Sequence, residues 1–290
     1  MRDIDIMMIG HFAKDRLVVD GKGHVASGGG VYYGGVALAR LGLGVAVVTR
    51  LNQNDNHLLD ELRDEGIQVF ATAAPETSGI ENLYDSADME RRICKTIGFA
   101  GKFSQDAISD LRAEVYMMTP IIAGEMDLEF LKALASHGPV GLDVQGFVRV
   151  RENGDLVFRR WQDMDEGLQY VKFLKVDRAE AELLTDRTDL EEAAQVLASY
   201  GHPDLEIIVT QSSGVMVLSQ GKIYKAPFTP RSLAGRTGRG DTCFATYVGS
   251  RLNSSPEESC RLAAAITTLK QEKPGPWSGN MDELKALLAE

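Results

Sequence analysis

Ala234-Gly235-Arg236-Thr237-Gly238-Arg239-Gly240-Asp241-Thr242-Cys243-Phe244-Ala245 is the stretch on which the fold turns. Closely spaced glycines precede a carboxylate, and an apolar helical pattern follows through Tyr247, Val248 and Leu252. That is a loop opening a helix. Glycines let the backbone take positive φ and approach a ligand closely, while the unpaired N–H groups and positive dipole end of the new helix attract an anion. A phosphate is the natural guest. Asp241, at the helix start, either caps the turn or takes a proton from a hydroxyl beside that phosphate. No Gly-x-x-x-x-Gly-Lys-Ser/Thr occurs in the stretch, so a P-loop mechanism is excluded.

The chain of 290 residues is long enough for one large α/β domain with a small appendage, or for two domains. A formal net charge of −11 excludes a general nucleic-acid surface, so any phosphate site must be local. Cys94, Cys243 and Cys260 are too few and too scattered for a disulfide framework, and no Cys-x-x-Cys pair suggests zinc. Acids at Asp3 and Asp5 interrupt the start where a signal peptide needs an apolar run, and no apolar run of ~18 residues occurs. A cytoplasmic protein without a membrane segment is expected.

Short apolar runs at 4–10, 45–51, 66–71, 115–119, 140–143, 172–176 and 206–210 read as buried strands. Helical patterns at 36–42, 56–65 and 127–137 stand between them, the βαβ rhythm of a parallel sheet. A hairpin is expected over 215–225 around Gln220-Gly221. The rhythm breaks twice. Residues 16–27 alternate around Asp20-Gly21-Lys22-Gly23, and 81–97 do so around Asp85-Ser86-Ala87-Asp88, so a small lid of antiparallel strands is expected near 11–27 and 72–100. Ligands collect at the C-terminal ends of strands in open α/β sheets, which makes Asp15, Gln145 and Arg149 candidates for substrate hydroxyls. For Asp15 the competing reading is a solvated loop acid. The Gly28-Gly29-Gly30 run lacks the spacing of a dinucleotide fingerprint, so a nicotinamide enzyme has the weakest support.

In order and separation these segments resemble the PfkB/ribokinase family of small-molecule kinases over nearly the whole chain. Gly28-Gly29 with Leu38-Ala39-Arg40-Leu41-Gly42 resembles its glycine-glycine motif, and Asp177-Arg178-Ala179-Glu180 its Asn-x-x-Glu motif. Thr210-Gln211-Ser212-Ser213-Gly214 is similar to its nucleotide-binding turn, and Gly238-Arg239-Gly240-Asp241 to its anion hole. The resemblance implies a ribokinase-like domain over 1–290, with a doubly wound, mostly parallel sheet, helices on both faces and a small β-strand lid. It implies an ATP- and magnesium-dependent kinase that phosphorylates a hydroxyl of a small polyol, sugar, cyclitol or nucleoside. Asp241 would be the base, and the amides of Gly238, Arg239 and Gly240 the donors around the phosphoryl. Thr210, Ser212, Gly214 and Arg236 would face the nucleotide, and Asp177 and Glu180 the metal. Ala263-Ala264-Ala265-Ile266 and Lys273-Pro274-Gly275-Pro276 are similar to the family's adenine-flanking helix and loop, which brings Ala264, Pro274 and Gly275 to the donor. Asp15, Gly28, Gly29, Tyr33, Gln145 and Arg149 would face the acceptor.

The chain departs from the family pattern in four ways. Asp177 and Tyr33 stand where Asn is usual, Arg236 and Arg239 flank the anion hole where smaller residues are usual, and Gly235 replaces an Asp. They motivate a second expectation, a kinase-fold sensor that binds nucleotide or metabolite without turnover. Tyr32-Tyr33, the 143–149 stretch and the 270–277 stretch resemble a subgroup that includes inositol kinases. An exposed lid edge would invite pairing with a second copy.

Overall fold

The computed structural model describes residues 4–85, 88–108 and 111–289. The main sheet has nine strands in the order Lys222–Pro227, Gly214–Ser219, Glu206–Gln211, Phe173–Asp177, Val140–Asp143, Val115–Met118, Ile6–Ile9, Val45–Leu51, Gln68–Ala73. All neighbours pair in parallel except the hairpin formed by the first two, which is antiparallel to its neighbour as well. Apolar side chains of Ile6–Ile9 alternate between the faces: Met7 and Ile9 enter one core and Ile6 and Met8 the other. Burial on both faces is why these strands read as continuous apolar runs.

Helices Leu128–Ala135, Arg178–Thr185 and Leu190–Tyr200 cover the first face, and Gly30–Arg40, Arg239–Arg251 and Pro256–Gln271 the second. Two helices on the second face meet at Gly34, where an added Cβ would stand 2.7 Å from Met8 Cε and 2.8 Å from Ala245 Cβ. The helix expected from Val36 therefore starts earlier, at Gly30, its small residues lying against the sheet and the Arg239–Arg251 helix. The helix expected over 56–65 is a 3₁₀ turn, Gln53–Leu59, running into Asp60–Asp64, because Asn52 caps it from further upstream. No helix among the described residues is long and apolar enough to cross a membrane.

A second sheet of six strands has the order Arg149–Glu152, Asp155–Phe158, Asp88–Gly98, Gly79–Asp85, Ala13–Val19, Lys22–Gly28. Both expected lid segments are in it, although the turn at Ser86-Ala87 lies outside the described residues. Two features differ from expectation. A third hairpin, Arg149–Glu152 with Asp155–Phe158, extends the sheet, and Ala13–Val19 pairs with Gly79–Asp85 in parallel. Asp15 contributes to that junction, its Oδ1 accepting from the Ile80 N–H at 2.8 Å.

Candidate active site

Gly238 is the N-cap of helix Arg239–Arg251, with φ 84° and ψ 10°, and no side chain caps the turn. The leading amides of a helix have no intrahelical acceptor, so an uncapped start facing a cleft can take an anion, although the Arg239 N–H expected among the donors is instead given to Arg236 O at 3.2 Å. Because Gly238 holds the cap position, Asp241 is a first-turn acid lining the cleft together with Arg236, Thr237, Gly238, Arg239 and Gly240. Tyr33 backs the loop: a Cβ at Gly238 would lie 2.2 Å from its ring, which combines with the positive φ to demand glycine.

A buried charge network lies under the loop. Lys175 Nζ donates to Asp143 Oδ1 at 3.1 Å and approaches Glu180 Oε2 at 3.5 Å, with all three side chains enclosed. Burial works against the Lys175 ammonium, but Asp143 and Glu180 outweigh it and raise its pKa. Burial pushes the Glu180 carboxyl up while Lys175 pulls it down. Asp241 is raised too, by burial and then by Asp143, with Lys175 and Lys270 opposing. A carboxylate held above its ordinary range, with Lys175 and Lys270 favouring its charged form, is a stronger base.

On the acceptor side, Arg149 Nε donates to Ile121 O at 2.9 Å and its Nη2 to Gln145 Oε1 at 2.8 Å, while the Gln145 N–H reaches Asp143 Oδ1 at 3.0 Å. Asp15, Ile80 and Asn82 bring the second sheet to the same cleft. Asp177 caps helix Arg178–Thr185 in a reciprocal box with Glu180, so the two acids expected at the metal also serve the helix start. Asp177 lines the cleft, and Glu180 Oε1 is a buried acceptor with no hydrogen-bond partner among the described residues. Of the two, only Asp177 lines the cleft, a carboxylate of the kind that suits magnesium, which keeps several of its own waters.

Of the residues expected from the sequence, the cleft gathers Asp241, Gly238, Arg239, Gly240, Thr210, Arg236, Asp15, Gly29, Tyr33, Gln145, Arg149 and Asp177. Gly28 lies behind Asp15, where a Cβ would fall 2.3 Å from Oδ2. Five donor-side residues are elsewhere. Gly214 lines a separate groove with Arg178, Glu191 and Lys225, and Ser212 is exposed on the turn before it. Ala264 is packed in the second core, Pro274 is exposed and Gly275 is a half-buried turn glycine. Asp143, Lys175 and Asn82 line the cleft without having been singled out for a role, and Lys270 stands just behind it. The available signal for Lys175 was a lysine inside the apolar strand Phe173–Asp177, since a buried charge needs a partner.

The profile of the family described as pfkB family carbohydrate kinase matches residues 4–282. Among solved structures, a pyrophosphate-dependent kinase in the ribokinase family, complexed with a pyrophosphate analog and myo-inositol, is 37% identical. That match covers 97% of this chain and 99% of the other, with a TM-score of 0.90. Ribokinase of Arabidopsis thaliana, complexed with ribose and ATP, shares the fold at 19% identity and a TM-score of 0.79, with both chains fully covered. The bifunctional protein HldE of Helicobacter pylori is 26% identical over 134 residues, 42% of this chain and 29% of that protein, so less than a third of its length is matched.

Proposed function

The chain belongs to the pfkB family of carbohydrate kinases, and from that premise we propose that it moves a phosphoryl group from pyrophosphate to a hydroxyl of a cyclitol. The observation that carries the proposal is Asp241, with its raised pKa, next to an uncapped helix start in a cleft shared by both sheets. Asp241 takes the hydroxyl proton as the acceptor oxygen bonds to phosphorus, and the phosphorus–oxygen bond to the leaving phosphate breaks. The amides of Gly238 and Gly240 hold the charge that gathers on the migrating group, the Arg239 N–H being already donated to Arg236 O at 3.2 Å, and positioning supplies most of the acceleration. Arg236 and Arg239 line the donor side, where guanidinium forks suit phosphate oxygens. Gln145, Arg149, Asn82 and Asp15 are placed to meet acceptor hydroxyls. Magnesium, held through its waters by Asp177, would neutralise donor charge.

ATP is the donor expected from the sequence. Pyrophosphate is favoured because the anion loop lies against the start of the loop expected to flank adenine. The Gly235 N–H donates to Gln271 O at 2.7 Å, and a Cβ on Gly235 would fall 1.7 Å from Lys273 O. Arg231 closes the outside through Glu272, with Nε–Oε1 at 2.9 Å. Similarity points the same way, since the 37% identical relative is named as pyrophosphate-dependent.

The test supplies magnesium and either pyrophosphate or ATP with myo-inositol, ribose or a nucleoside, and measures phosphorylated acceptor. Turnover on the cyclitol with pyrophosphate is expected. Turnover with ATP alone would replace the donor, turnover on ribose alone would replace the acceptor, and ligand-induced stabilisation without turnover on any acceptor would restore the sensor. The exposed edge strand Lys22–Gly28 is the surface through which we expect two copies to pair, with light scattering giving the dimer mass.

A further inference from the structure

Lys270, in the last turn of helix Pro256–Gln271, is 1% exposed, and burial pushes its amine down to about 7 while Asp241 pulls it back up, so its ammonium form depends on the partners around it. Its Nζ donates to the main-chain oxygens of Gly235 and Thr237, the two carbonyls on the inner side of the anion loop. It also stands 4.8 Å from the centre of the Tyr33 ring, whose face attracts a cation. Tyr33 is the same side chain against which Gly238 packs. The loop is thus drawn inward by its carbonyls while Gly238, Gly240 and Asp241 line the cleft on the other side. In a helix continued backwards, Thr237 O would be the acceptor for the Asp241 N–H. Here it is taken by Lys270; the Arg239 N–H turns back to Arg236 O at 3.2 Å, and the Thr242 N–H reaches Gly238 O at 3.0 Å.

We propose that Lys270 is the positioning residue of the anion loop, a tethered monovalent cation that gathers the Gly235 and Thr237 carbonyls and so aims the Gly238 N–H, which shares a peptide unit with Thr237 O, and the Asp241 carboxylate at the migrating phosphoryl. The role rests on the kinase reading above, but the cation site itself does not need turnover to be seen. A peptide unit is a dipole, so a cation on its oxygen side stabilises the orientation that turns its N–H outward. An enclosed ammonium requires partners, and the two carbonyls and the aromatic face are what this site offers it.

Two variants test this, with turnover and melting temperature as separate readouts. Lys270→Met keeps the stem packing and removes the charge. It is expected to stay folded, to lose about 100-fold in kcat and to change the acceptor KM by less than about threefold, because the defect lies in transition-state geometry. Lys270→Ala empties the site, and amines from ammonium to butylammonium are added to it. Recovery of at least about tenfold in kcat, with a rise in melting temperature from the same amine, is expected for the variant and not for the wild type. Tetramethylammonium, which has no N–H donor, should do neither. Wild-type turnover in Lys270→Met, or a folded Lys270→Ala unresponsive to every amine in both readouts, would overturn the proposal. If Lys270→Ala does not fold even with amine present, Lys270→Met decides alone. A wild type inactive on every acceptor would remove the kinase reading, while amine-dependent melting of Lys270→Ala would still report the cation site.

Discussion

Asp241 can act as a base only because two opposing sets of charges meet on it. Burial and Asp143 raise its pKa, while Lys175 and Lys270 oppose them by favouring the carboxylate. Replacing it by Asn keeps the shape and removes the proton acceptor, so Asp241→Asn should lower kcat by roughly 10²–10⁴ while donor affinity is nearly unchanged. Wild-type-like turnover in that variant would dismiss Asp241 as the base. The active form is the carboxylate, so kcat falls as pH drops through the raised pKa. The acid limb of the kcat–pH profile should therefore lie above the ordinary carboxylate range, and a limb within that range would point to a different group. Lys175 has a different task. Removing its ammonium leaves Asp143 and Glu180 enclosed without their shared counter-charge. Lys175→Met should cost about 3–5 kcal/mol, read from urea unfolding. A cost near zero would mean that the carboxyl groups simply protonate.

Elements place these residues, and the glycine at the helix start shows how narrowly. Gly238→Ala would force a side chain into positive φ and onto the Tyr33 ring at 2.2 Å, so about 1–3 kcal/mol of stability should be lost together with turnover. Loss of stability with turnover intact would mean the loop can move without consequence. The helix opening at this loop was legible because glycine spacing, acid and apolar pattern are local, and so were the parallel strands, whose burial on both faces leaves unbroken apolar runs. Long-range pairing was not. The parallel contact of Arg16 with Glu81 spans 65 residues and is pinned by Asp15 on Ile80, which no local pattern encodes. The same holds for Lys175 and Lys270, whose partners Asp143 and Gly235 lie 32 and 35 residues away. Asp15 itself combines two readings, lining the cleft as expected of a hydroxyl binder while holding the second sheet together.

At the scale of the whole molecule, the cleft is where two unequal sheets meet. The main sheet is sealed by two large apolar cores, whereas the cluster under the second sheet consists of Ala13, Ile80, Ile121 and Ile122 with partly buried Cys94, Phe99 and Leu156. Fewer buried contacts make the second sheet the less stable unit, the one whose local opening exposes amides first. A ligand touching Asp15 and Asn82 on one side and Asp143 and Gln145 on the other binds only when both sheets are in place. At a hundredfold excess over its Kd it contributes about 2.7 kcal/mol, all of it to states with the cleft formed. Hydrogen exchange should therefore slow by up to about 100-fold in Ala13–Val19 and Gly79–Asp85 when myo-inositol and pyrophosphate are added. The central strand Ile6–Ile9 opens only with the whole protein and should respond through global stability alone. Equal protection of both sheets would mean that they open as one unit, and protection confined to the main sheet would place the acceptor away from Asp15 and Asn82.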